Sequence, residues 1–357
     1  ELKKSGFDLC HPIHTSWYND LITDEGLVEN GTLKKMPEPP AILDHEKDGE
    51  GTICNAILIG NTKKVWPAFL SWLASKVEQK KKGDNRNFTD EEALDHITSP
   101  FDTFVEESIP QALQRCCTDH SELKSYELFW SNGKRQKVSI GQLCDSANTD
   151  DGDGSAENNY HCYEDKENSF LVSMQRVATT TGKYWHDDEA TKLCVHPEFG
   201  TWTAFRTVVV FETRGVPCPI LPAPPPCPCP VTDEEIKMAK AVFDYALTMS
   251  SSDENGYGAT LNKSWEELCE YLHGTVCSGS KWEEVPDTMK PWIQLRDCIS
   301  VGRTNWKYTQ AQLLYHYTKD SEILRSELKR INRYQQPVAN VLAADCTTRV
   351  IKDPECG

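Results

Sequence analysis

Thirteen consecutive residues, Cys194-Val-His-Pro-Glu-Phe-Gly-Thr-Trp-Thr-Ala-Phe-Arg206, hold the densest chemistry in the chain. A His-Pro turn closed by Gly200 leads into a strand in which Arg206 interrupts an apolar alternation. A guanidinium in a core needs an anion, because an uncompensated buried charge costs several kcal/mol. That anion is either a structural carboxylate or a bound ligand.

Other nucleophiles and ligands are scattered. Cysteine and histidine approach each other at His161-Cys162, Cys194-Val-His196 and Cys116-Cys117 without the paired spacing of a zinc site, so no metal is expected. Cys227-Pro-Cys229 is too close for an ordinary internal disulfide, so each thiol pairs elsewhere or takes part in exchange. Residues 148–157 are acidic like a calcium loop, but the glycine is out of register and no closing glutamate follows, which leaves a solvated loop. There is no GxSxG elbow, HExxH helix, P-loop or GxGxxG turn.

The elements that must carry these groups can be placed coarsely. Residues 52–60 read as a buried strand. A helix follows in which Trp66, Phe69, Leu70, Leu73 and Val77 recur at helical spacing, with lysines 80–82 and Gly83 at its end. Capping boxes at Thr89-Asp-Glu-Glu92, Thr232-Asp-Glu-Glu235 and Ser264-Trp-Glu-Glu267 open helices, and Ser99-Pro100 starts another that runs to about Cys117. Strands are predicted over residues 125–131, 170–177 and 203–212, the last buried on both faces. The proline-rich stretch 217–230 runs extended, and a final helix is predicted over about 310–334. The expected class is α+β, divided as 1–216, a connector 217–230, and a helical cap 231–357.

Composition bounds the function. The chain has 357 residues and a net charge of -17, which argues against a phosphate-tracking surface and so against nucleic acid. No apolar run is long enough to span a bilayer. Fifteen cysteines point to disulfides in a secreted chain, the alternative being buried apolar thiols in a reducing compartment. The start at Glu1 is compatible with a removed signal peptide, and sequons at Asn30, Asn87 and Asn262 would permit glycosylation.

The residues from Cys194 to Arg206, together with Ser16-Trp-Tyr-Asn-Asp20, resemble the MMACHC (CblC) family of cobalamin-processing proteins. Gly60-Asn-Thr62, Ser99-Pro-Phe-Asp102, Gln175, Gly182 and Arg296-Asp297 follow in the family's order, although Thr179 stands where the family has a histidine. The resemblance implies a nitroreductase-like, flavin-reductase-like antiparallel sheet with a helical cap, here expected to be disulfide-stabilised. It implies base-off cobalamin between sheet and cap, with glutathione-dependent dealkylation or reductive decyanation by reduced flavin. Arg206, Arg296 and Arg325 would hold the glutathione carboxylates. Tyr184, Trp185, His196, Gly200, Trp292 and Tyr308 would wall the corrin.

Two readings result. The chain removes the upper axial ligand of cobalamin, or carries it. Alternatively, a secreted, disulfide-rich relative uses the same pocket to bind or oxidise another small aromatic or tetrapyrrole ligand. Secretion follows from the cysteine count and a cytoplasmic location from the family. The partner is a small molecule in either case, and a homodimer is left open.

Overall fold

A computed structural model describes residues 1–29, 31–38, 52–83, 88–117, 120, 123–140, 171–214, 222–250 and 285–335. The acidic stretch 148–157, the asparagines of the three sequons and the capping box at Ser264 lie outside the described residues.

Five strands form one antiparallel sheet. They are β1 (Leu9–His14), β2 (Thr52–Asn61), β3 (Leu123–Trp130), β4 (Arg135–Ser139) and β7 (Ala204–Arg214), in the spatial order β1-β2-β7-β3-β4. Strands β5 (Trp185–His186) and β6 (Cys194–Val195) make a separate antiparallel pair. The valine run of β7 is buried on both faces as expected, because neighbouring side chains enter different cores. Val209 joins one core with α2 (Val65–Gly83), α4 (Pro100–Cys117) and α10 (Ser321–Gln335). Val208 and Val210 join the other with α1 (Thr15–Asp24) and α5 (Met174–Thr180). Helices therefore cover both faces of a mixed α+β architecture.

Capping explains several boundaries. Thr89 and Glu92 exchange reciprocal bonds at the start of α3 (Asp90–Asp95), as do Thr232 and Glu235 at α6 (Asp233–Ser250). Glu235 also accepts from the Ser300 backbone N–H at 2.7 Å, which ties α6 to the segment after α7 (Lys290–Asp297). Short α8 (Arg303–Trp306) and α9 (Gln310–Thr318) lead into α10. Helices α6 and α7 pack with Val195 of β6 in a third core.

Two expected elements are different. Residues 171–177, within the strand expected over 170–177, are not a strand: Ser173 caps α5, accepting from the Arg176 N–H, and Met174, Val177 and Ala178 bury one helical face. The single helix expected over 310–334 is two helices. Lys319 adopts a left-handed conformation with φ 56° and ends α9 before Asp320 and Ser321 start α10.

Disulfides expected from the cysteine count are not found among the described residues. Cys10, Cys116, Cys117, Cys194, Cys227, Cys229 and Cys298 are free. Cys117, Cys227 and Cys298 are buried, so they act as small apolar residues. Burial pushes the Cys117 thiol up to about 11 and the Cys298 thiol up to about 12. No described helix is long and apolar enough to cross a membrane.

The turn before β7 and the segment after α7 meet at a contact without side chains. Gly200 has φ +61°, and a Cβ placed there would stand 1.8 Å from the Val301 carbonyl oxygen. Gly200→Ala should lower unfolding free energy by about 2–4 kcal/mol, combining backbone strain and overpacking, as read by urea denaturation. An unchanged midpoint would mean that the contact does not hold the segment after α7 in place. A thiol reagent added to the denatured, unreduced chain should titrate at least the seven cysteines found free. Fewer would restore the disulfide expectation.

Candidate functional site

Arg206 owes its direction to an irregularity in the sheet. Between β2 and β7, Ile59 pairs with Thr207 but Gly60 pairs with Phe205, so Arg206 is an extra residue in β7. A bulge of this kind re-phases the side chains. Phe205 packs toward α5 and Tyr184, while Arg206 lies against α4. Its Nε donates to Asn61 Oδ1 at 2.7 Å, and its Cζ sits 4.8 Å from the Phe101 ring centroid. Asp102, from the first turn of α4, contributes a favourable charge without forming an ion pair with it.

Arg296 approaches from α7. Its guanidinium donates to the backbone carbonyls of Thr201 and Thr203, and Thr201 Oγ1 donates back to the Arg296 carbonyl at 3.0 Å. The Cζ lies 4.6 Å from the Trp202 ring centroid and 4.8 Å from that of Tyr308. Burial works against its charge, yet the Tyr308 and Tyr317 phenols raise its pKa. Both arginines are half-buried. Among the described residues no carboxylate forms an ion pair with either, whereas Arg135, Arg176, Arg325 and Arg330 each have one.

Three further groups complete this cradle. His316 on α9 lies edge-on to Tyr308 at 5.9 Å and to Tyr317 at 4.9 Å between centroids. Burial, followed by the charges of Arg296, Arg206 and Lys319, holds its pKa well below the ordinary value, so the ring is neutral. The Tyr308 hydroxyl is buried with no partner at full hydrogen-bond geometry, and Tyr317 donates to the Trp292 carbonyl at 3.3 Å. Beside the cradle lies a cavity of about 540 Å³, its wall formed by Leu33, Ser173, Gln175, Cys194, Phe205 and Arg296 among others. A larger cavity of about 760 Å³, between the start of α2 and helices α9 and α10, contains neither arginine.

The expected site residues therefore separate. Arg206, Arg296 and Tyr308 are brought together. Arg325 is not among them: on α10, it is engaged by Asp95 and Glu322. Trp292 packs edge-on against Phe243 of α6 at 6.1 Å, and Trp185 joins the same core. Tyr184 is buried among His11, His196 and Phe205. His196 Nδ1 accepts from the N–H groups of Glu198 and Phe199, so it shapes the turn that ends at Gly200. His316, Tyr317 and Lys319 were missed; the Tyr315-His-Tyr317 run, a histidine between aromatics on a helix, was the available signal.

Chemically, two guanidiniums without carboxylates, aromatic faces and a neutral imidazole suit a carboxylate-bearing ligand. Among the described residues, no group of three His, Cys, Asp or Glu could hold a metal ion.

Residues 170–252 match the model of the MMACHC family, described as the methylmalonic aciduria and homocystinuria type C family. This stretch contains the motif from Cys194 to Arg206, and the chain is MMACHC-like. Among solved structures, the chain is similar to the crystal structure of a C. elegans B12-trafficking protein, CblC, titled a human MMACHC homologue. The match has 14% identity and a TM-score of 0.48, and covers 90% of each chain. No curated protein matches the chain.

An arginine retained for a ligand should not serve stability. Arg206→Met should leave unfolding free energy unchanged or raise it by about 1 kcal/mol, since it removes an uncompensated, partly desolvated charge. A loss above about 2 kcal/mol in urea would make Arg206 a structural strut instead.

Proposed function

We propose that this MMACHC-like chain binds cobalamin and processes or traffics it, using the two-arginine cradle for a carboxylate-bearing thiol. The observation that carries this reading is that Arg206 and Arg296 lie close enough to act on each other, without carboxylate ion pairs among the described residues, with Arg296 on the wall of a cavity that residues of the family-matched stretch also line. Here the sheet with its covering helices is read as nitroreductase-like, residues 1–216 as one unit, 217–230 as a connector and 231–357 as the cap. The C. elegans neighbour is titled a B12-trafficking protein, which agrees with this reading without carrying it.

The roles then follow from chemistry. Ser173, Gln175, Thr201 and Thr203 bring amide, hydroxyl and carbonyl groups to the cavity wall, partners for the amide side chains of a corrin. Glutathione has two carboxylates, and two planar guanidiniums on different elements can hold one each. In dealkylation the thiolate sulfur bonds to the alkyl carbon. The carbon–cobalt bond breaks with both electrons left on cobalt as Co(I), and the thiol proton goes to solvent. What the protein contributes is orientation of the thiol and a site sheltered from water. Decyanation instead needs an electron donor such as reduced flavin. The seven cysteines found free give the secreted alternative no support.

Titration with methylcobalamin should shift its absorption to the base-off form at micromolar protein. An unchanged spectrum would overturn the cobalamin reading. Arg206→Ala should then slow glutathione-dependent dealkylation at least about tenfold while leaving cobalamin affinity within about threefold. Equal loss of both would mean that Arg206 shapes the pocket and does not hold the thiol.

A further inference from the structure

Resting on the reading of the cradle as an anion site, we propose that His316 is its conditional cation, taking up a proton when a carboxylate binds. Four elements bring charged groups to this place. Arg206 comes from β7, Arg296 from α7, Lys319 from the end of α9, and Asp102 from α4, with Tyr308 and Tyr317 against the imidazole ring. His316 shares the Tyr308 ring with Arg296, whose Cζ stands 4.8 Å from the same centroid.

In this surrounding the free imidazole meets two guanidiniums and an ammonium, while the Asp102 carboxylate acts on Arg206 and Lys319 and Asp297 on Tyr317. All three cations disfavour a fourth positive charge. A bound carboxylate cancels part of that field and also accepts a hydrogen bond from a protonated ring. Ligand and proton therefore bind together, and each strengthens the other by the same factor. The complex is tightest below the His316 pKa of the complex, and affinity falls as pH rises through it, by at most about tenfold per unit.

The probe is S-methylglutathione, which keeps both carboxylates and lacks an ionisable thiol. Calorimetric titration of the full chain at pH 6 in buffers of different ionisation enthalpy should show uptake of a fraction of a proton per ligand. His316→Phe, and separately His316→Gln in case the first misfolds, should bind with no uptake and with affinity independent of pH from 6 to 8. Binding by the native chain without uptake, or uptake that persists in both variants, overturns the role of His316 and leaves the cradle intact. Absence of binding, with or without hydroxocobalamin, overturns the anion reading and this inference with it.

Discussion

The arrangement depends on positive charge held apart from water without a negative partner. Arg206 and Arg296 are each held by neutral groups: the Asn61 amide and Phe101 face for one, carbonyls and the Trp202 and Tyr308 rings for the other. Neutral partners fix a guanidinium's direction and leave its charge available. A carboxylate in either place would give a more stable protein and a closed site. The bulge in β7, the turn ending at Gly200 and the docking of α7 each bring one of these groups into place.

What could be read from the chain divides by how local its cause is. The capping boxes at Thr89 and Thr232 were legible because four neighbouring residues contain both partners of each bond. The burial of β7 on both faces was legible because three successive valines leave no polar face. By contrast, α5 is only seven residues long, and its helicity depends on Ser173 and on packing against Tyr18 and Tyr184, which a short apolar run cannot reveal. The break at Lys319 has no glycine or proline to mark it.

The site shows the same division. Arg206 stood out because a charge in an apolar alternation is anomalous on sight, and Arg296 came with the family order. The direction of Arg206 was not legible, because a bulge belongs to the register of two strands that lie far apart in sequence. Arg325 and Trp292 matched positions but are engaged elsewhere, by Asp95 and Glu322 and by Phe243. The cysteine count suggested cross-links, yet a count carries no information about which sulfurs meet, and Cys117, Cys227 and Cys298 fill space as apolar groups.

The backbone contact between Gly200 and Val301 has a mechanical consequence. Side chains yield by changing rotamer, whereas two main chains in contact are incompressible. Any displacement of α7 relative to the sheet must therefore roll about that point, with the nearby Arg296 travelling less than groups farther along α7. The joint acts as a fulcrum placed next to the charge that must stay in register.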